Sequence, residues 1–318
     1  MPLRGVWQES LRRSCGSSGM TTRDKLEIVM YPRIAALIAL LAASSLSAFA
    51  GEASGEFTVG KRPPIHPTVA SAFETRDQRD PHKRVVEVVL SEAPVDIAAA
   101  MEELDPHSQI INQPALMHHN YVLLWVRPDG DVSMNATYSE TMTQFVDMTG
   151  IGGLRAELTT NTPDRVAGRV FTPKPVKTSS ESYTLNLRFS TTVARRPQGS
   201  KLPADGGPAG KAFQSLLTAI SKKNWDGIQQ NVTSENVKHF TDADRSADEN
   251  LAGAIETLGF WLPKTSVKVT GGELRGETAI LEVEGELFAG QKALYLVRMV
   301  KKDSRWLFDR ATKAGLID

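Results

Sequence analysis

The chain has 318 residues, of which 41% are hydrophobic and 23% charged, the balance of a folded globular protein and not of a disordered one. Lys+Arg and Asp+Glu each number 37; six basic and three acidic residues fall in the first fifty, so the rest of the chain carries −3. Such a body has no general attraction for nucleic acid or anionic lipid, and nucleic acid is excluded as an expected partner.

Residues 1–29 are polar, without periodicity, and hold the only cysteine, Cys15. They read as an over-long start, with the true start at Met30 or Met20. Residues 30–50 have the three parts of a secretory signal: Arg33, an apolar run over 34–46, and the A-x-A site Ala48-Phe49-Ala50. Cleavage after Ala50 is expected, with the mature chain starting at Gly51. The apolar run is too short, and too rich in Ala and Ser, to remain as a stable membrane span. The expectation is a periplasmic or secreted protein, and a mature chain without cysteine suits a bacterial periplasm.

Residues 51–83 are rich in Pro, Gly and charge and read as an extended mature N-terminus. Residues 84–193 are dominated by strand signals. The run Val85-Val86-Glu87-Val88-Val89-Leu90 opens them, and a short helix is expected over 95–104. Strands 121–126 and 132–138 form a hairpin across Pro128-Asp129-Gly130, and 154–160 pairs with 165–172 across Asn161-Thr162-Pro163-Asp164. The strand 183–193 alternates, with Tyr183, Leu185, Leu187 and Phe189 on one face. Many short strands with little helix predict an immunoglobulin-like β-sandwich.

Residues 194–210 hold three prolines and four glycines in seventeen positions, the signature of a linker. The second domain, 211–318, opens with a helix whose Phe213, Leu216, Leu217 and Ile220 share a stripe. Shorter helical stretches follow at 225–232 and 251–258. Four strands then close the chain, in one of which Ala279, Leu281 and Val283 alternate with Glu282, Glu284 and Glu286, the glutamates reading as a solvated face. Leu294-Tyr295-Leu296-Val297 is apolar on both faces, as in a central strand covered on both sides. Trp306 and Phe308 are expected on one buried face of the last strand.

The opening helix, the NWDG break at 224–227, the VTGGELRGETAILEVEG hairpin at 269–285 and the closing DSRWLFDRA at 303–311 resemble the nuclear transport factor 2-like superfamily. The resemblance covers about 110 residues and rests on element order and turn placement. It implies an α+β cone, three helices packed on a curved four-stranded antiparallel sheet, with a pocket at the mouth. The expected fold class is thus an all-β sandwich followed by that cone.

Enzymes of the superfamily resembling ketosteroid isomerases and dehydratases use carboxylates or a His–Asp pair inside the cone, which makes His239 and Asp242 the catalytic candidates. A solvated local cluster explains the same residues. Five of the six histidines lie in the first half, and Met117-His118-His119 precedes a strand, with Met134, Met142 and Met148 beyond. Thioether and imidazole suit copper, so Met117, His118 and His119 are the metal candidates; against them stand methionine as a core filler and histidines at a strand entrance. No phosphate loop, GxSxG or HExxH is present. No cofactor is expected. The primary reading is a non-catalytic protein binding a small ligand or a protein partner; an enzyme using the cone pocket and a copper- or zinc-handling protein are the alternatives.

Overall fold

The structure is a computed structural model, and it describes residues 50–77, 79–137, 146–147, 153–177, 181–287 and 290–317. The signal segment up to Phe49, with Met142 and Met148, lies outside the described residues. Alternating apolar side chains build the first sheet from β1 (Ala50–Val59), β2 (Val69–Arg76), β3 (Arg84–Ser91), β4 (Tyr121–Val126), β5 (Val132–Thr137), β6 (Val146–Asp147), β7 (Arg155–Asn161), β8 (Arg165–Phe171), β9 (Val176–Lys177) and β10 (Ser182–Ala194). These form one ten-stranded sheet in the order β6-β5-β4-β3-β2-β1-β10-β8-β7, with β9 on the side of β10.

The long strand β10 holds that sheet together. It runs antiparallel to β1 from Glu52↔Ser190 to Val59↔Tyr183, and antiparallel to β8 from Asn186↔Phe171 to Thr192↔Arg165. Its last two residues pair in parallel with Ala72 and Phe73 of β2. β1 approaches so closely that a Cβ on Gly51 would sit 2.1 Å from the Ser190 carbonyl oxygen, so only glycine fits there. The sheet curls into a half-barrel, and the Asn161 side-chain amide at one end of β7 donates to the Arg127 carbonyl after β4 at 3.0 Å. One face packs on itself through Val88, Leu124, Met134, Tyr183, Leu187 and Phe189, all buried. The other face, with Phe73, Val89 and Leu123, lies under the short helices α1 (Ile97–Met101), α2 (Pro106–Ile111) and α3 (Pro114–Met117). With both faces covered, β3 is buried at seven of its eight positions.

The second sheet is antiparallel, in the order β11 (Ser200–Lys201), β12 (Thr265–Arg275), β13 (Thr278–Glu286), β14 (Lys292–Lys302) and β15 (Arg305–Ile317). Helices α4 (Gly207–Ser221), α5 (Trp225–Asn231), α6 (Ser234–Phe240) and α7 (Ala247–Trp261) cover one face. Phe213 and Leu216 of α4 meet Leu281, Tyr295, Val297 and Phe308 there, each large side chain contributing about 1.5–3 kcal/mol by leaving water. A capping box at Ser246 and Glu249 starts α7. The opposite face of the sheet turns toward the first half, where Leu104 packs on Ile280 and Leu296. The described residues group as a single compact unit.

The expected β-sandwich followed by an α+β cone is not the fold. The chain is 47% strand with seven short helices among the described residues, and its first half is one curled sheet, not two facing ones. Period-two alternation shows that a strand has a buried face but not how many sheets share the core, and β10 links strands that a sandwich would divide. Residues 51–83 carry β1 and β2 in the middle of the sheet. The glycine- and proline-rich 194–210 segment supplies β11, so the second sheet has five strands, and four helices cover it instead of three. Among the described residues no helix is long and apolar enough to cross a membrane.

Candidate functional site

Between the two sheets lies a cleft of about 920 Å³. One wall comes from the ends of β2, β3 and β4 with the start of α2, the other from β12, β13, β14 and β15, and the segment 196–201 crosses between them. A bulge between Val269 and Gly271 shapes the second wall, where Gly272 adopts φ +145 and a Cβ would fall 2.3 Å from the Ile280 carbonyl oxygen.

The first wall is built around Glu87. Its neighbours along β3 are valines, its cross-strand partners are Phe73 and Trp125, and it is fully buried. A charge in that position requires bonded partners. Asp105 caps α2 by accepting from the Ser108 amide at 3.1 Å, with Pro106 in the first turn, and this turn aims His107 at the sheet. His107 Nδ1 lies 2.6 Å from Glu87 Oε1, and Trp125 Nε1 donates to Oε2 at 3.2 Å. Burial pulls the His107 pKa down, but the hydrogen bond and charge of Glu87, with the charge of Asp105, outweigh it and hold the imidazole above its ordinary value.

Arginines dominate the rest of the cleft. Arg76 donates to the Pro81 carbonyl at 2.7 Å and pairs with Glu282 across the sheets, while its Nε is buried without a partner. Arg275 pairs with Glu273 on its own strand, and its Nε too is buried and unbonded. Arg196 Nε donates to the Met101 carbonyl at 2.9 Å, but its Nη2 is buried with nothing to bond. Burial, with the charges of Arg275 and Arg84, lowers the Arg196 pKa to about 10, so it is still a cation at neutral pH. Arg84 opens into the cleft with no ion pair among the described residues, its pKa lowered by lost hydration and by Arg76.

The carboxylates of the cleft are already engaged. Glu282 and Glu273 hold Arg76 and Arg275, Glu74 holds Arg195 at 3.1 Å, Glu87 holds His107, and Asp105 caps α2. Arg84 and Arg196 are left without an ion-pair contact among the described residues, although the charges of Glu74, Glu273 and Glu282 act on Arg84 and those of Glu273 and Asp105 on Arg196. Glu282 itself, read as part of a solvated face, is drawn into the junction of the two halves.

The candidates named from sequence lie elsewhere. His239 is exposed on α6 and stacks on Trp261 at 6.3 Å between centroids. Asp242 follows α6, half-exposed, and pairs with Arg245 at 3.4 Å. Neither lines the cleft. Met117 ends α3 at 58% exposure, His118 is exposed beside it, and His119 lies 3.8 Å from Glu92. Among the described residues no three His, Cys, Asp or Glu side chains converge as a metal site. The residues that do converge, His107, Glu87, Trp125, Arg84 and Arg196, were not singled out. Glu87 alone left a signal, as a carboxylate amid five apolar residues of a strand.

Fold and cleft together define a β-rich protein of two sheets with a polar cavity where they meet. Compared with known protein families, with characterised proteins and with solved structures, the chain finds no match.

Proposed function

We propose that this is an exported, non-catalytic ligand-binding protein whose ligand occupies the cleft between the two sheets. The observation that carries the proposal is the cleft itself: about 920 Å³ of space, walled by both halves and lined by polar groups fixed in position. The helix-covered core of the second half supports the same reading by contrast. Phe213, Phe240, Tyr295 and Phe308 fill it, and His239 and Asp242 stand outside it. The helix-then-sheet order of 207–317 supports kinship of that half with the nuclear transport factor 2-like superfamily, while the ligand site proposed here lies on the other face of its sheet.

Export rests on the signal-like segment 30–50. A cut after Ala50 removes only the first residue of β1, with its pairing to Ser71, and leaves the pairing with β10 from Glu52↔Ser190 intact. N-terminal sequencing of protein recovered from the periplasm or medium is expected to begin at Gly51, and recovery of residues 30–45 on the purified chain would refute it. The site is tested by native mass spectrometry and melting-temperature screening of the mature protein against a small-molecule library. Thr312→Trp and Thr75→Trp fill the cleft from opposite walls. Both are expected to abolish the binding of any hit, and a hit that both variants retain would place the ligand elsewhere.

A further inference from the structure

We propose that the cleft contains an oxyanion subsite in which Arg84 and Arg196 grip a carboxylate or phosphate group of the ligand. The inference rests on the cleft being the ligand site. It stands on a census of charge. Five carboxylates line the cleft, and each is committed to an arginine of its own, to His107, or to a helix cap. Arg84 and Arg196 have no carboxylate within ion-pair distance among the described residues, and Lys201 and Lys313 add positive charge at the rim. Arg76, Arg275 and Arg196 each have a buried guanidinium nitrogen that bonds to nothing among the described residues, but Arg76 and Arg275 have carboxylate partners through their other nitrogens, and Arg196 has none.

The electrostatics agree with the geometry. Burial, then the charges of Arg275 and Arg84, raise the cost of charge on Arg196, and Glu273 and Asp105 offset only part of it. An anion between Arg84 and Arg196 would cancel the repulsion, satisfy Nη2 and restore the cation's ordinary basicity. Guanidinium forks match carboxylate and phosphate oxygens in pairs, which gives direction as well as charge. Arg196 is fixed by the Met101 carbonyl, so the donor is held in place before the ligand arrives.

The experiment titrates inorganic phosphate and succinate separately into the mature full-length protein at low ionic strength, read by calorimetry and melting temperature. The variants are Arg84→Gln and Arg196→Gln, with Arg245→Gln as a surface control paired to Asp242 outside the cleft. At least one anion is expected to bind and to raise the melting temperature. Its affinity is expected to fall about tenfold or more in each cleft variant and to hold in the control. A preference for phosphate would assign a phosphoryl ligand, and a preference for succinate a carboxylate one. Without anion, Arg196→Gln is expected to melt no lower than the parent, because the bond lost to the Met101 carbonyl is offset by removing a half-buried cation with no ion-pair contact among the described residues. Binding of neither anion, or equal loss in Arg245→Gln, overturns the proposal. A neutral library compound that Thr312→Trp excludes and Arg196→Gln keeps would overturn the oxyanion subsite while leaving the cleft as the ligand site. Were no compound of any charge to bind, both would fall together.

Discussion

Glu87 shows how one buried charge sets the chemistry around it. It sits among valines and is held by an imidazole and an indole N–H, so its partners determine whether the strand tolerates it. Replacing it with Gln leaves an acceptor for Trp125 but removes the charge that raises the His107 pKa. Glu87→Gln is expected to cost about 2–3 kcal/mol in urea unfolding, below the usual penalty for a broken buried pair because His107 can lose its proton. The pH dependence has a definite sign. The folded pKa of His107 is raised, so its contribution to stability is complete below the unfolded value of about 6.5 and is lost as pH climbs through the folded value. The stability gap between the parent and His107→Gln is expected to be widest below the unfolded value of about 6.5 and to narrow as the pH rises above it. Glu87, Asp105 and Trp125 surround the ring and stay unaltered in that comparison. Asp77 works in the opposite direction. Burial raises its pKa, but the bidentate bond from Arg127, at 2.6 and 3.2 Å, lowers it further, so its contribution is lost only as pH falls below the ordinary carboxylate range. Asp77→Ala is expected to cost about 3 kcal/mol, since Arg127 keeps Asp131 at 2.8 Å as a second partner.

At the scale of elements, packing separates residues that the pattern had grouped. Phe308 of β15 is fully buried beneath Trp261, 6.3 Å away between centroids, whereas Trp306 is only partly covered. Phe308→Ala is therefore expected to destabilise by about 3–5 kcal/mol and Trp306→Ala by less, measured by the same unfolding experiment. Elements joined by local turns were legible in the sequence. The hairpins β4–β5 and β7–β8, strand β10 and the stripe of α4 fall within a few residues of their expected places, because turn residues and period-two or 3.6 patterns act over short range. The covered strand β14 was legible too: Tyr295 and Val297 face the helices while Leu296 meets Leu104. β1 and β2 were not, since Gly51, Ala53 and Gly55 read as loop until β10 lies alongside them. β11 has only two residues and takes its pairing from β12, which no local pattern announces. The cleft was illegible for the same reason. Arg84, His107 and Arg196 are distant in sequence and meet only when both sheets are in place.

For the whole molecule, contacts at the junction of the halves include Leu104 against Ile280 and Leu296, Arg76 with Glu282, and Glu103 with both Arg298, at 3.7 Å, and Arg310. Leu104→Ala is expected to cost about 2 kcal/mol, the low end for a buried leucine, because water can enter from the adjoining cleft. It is also expected to weaken any ligand bound there, checked by repeating the titration on this variant. The pairing of β1 with β10 has a consequence for how the chain comes to be folded. The first strand finds β2 nearby, through Gly51↔Ala70 and Glu52↔Val69, but its other edge must wait while more than a hundred residues follow, because Thr58 meets Thr184 across a separation of 126 positions. Ring closure over that length is slow compared with closing a hairpin, so the pairing of β1 with β10 forms late. A chain threaded through a membrane from its N-terminus could form its early hairpins as they emerged, but would join β1 to β10 only after residue 190 had passed.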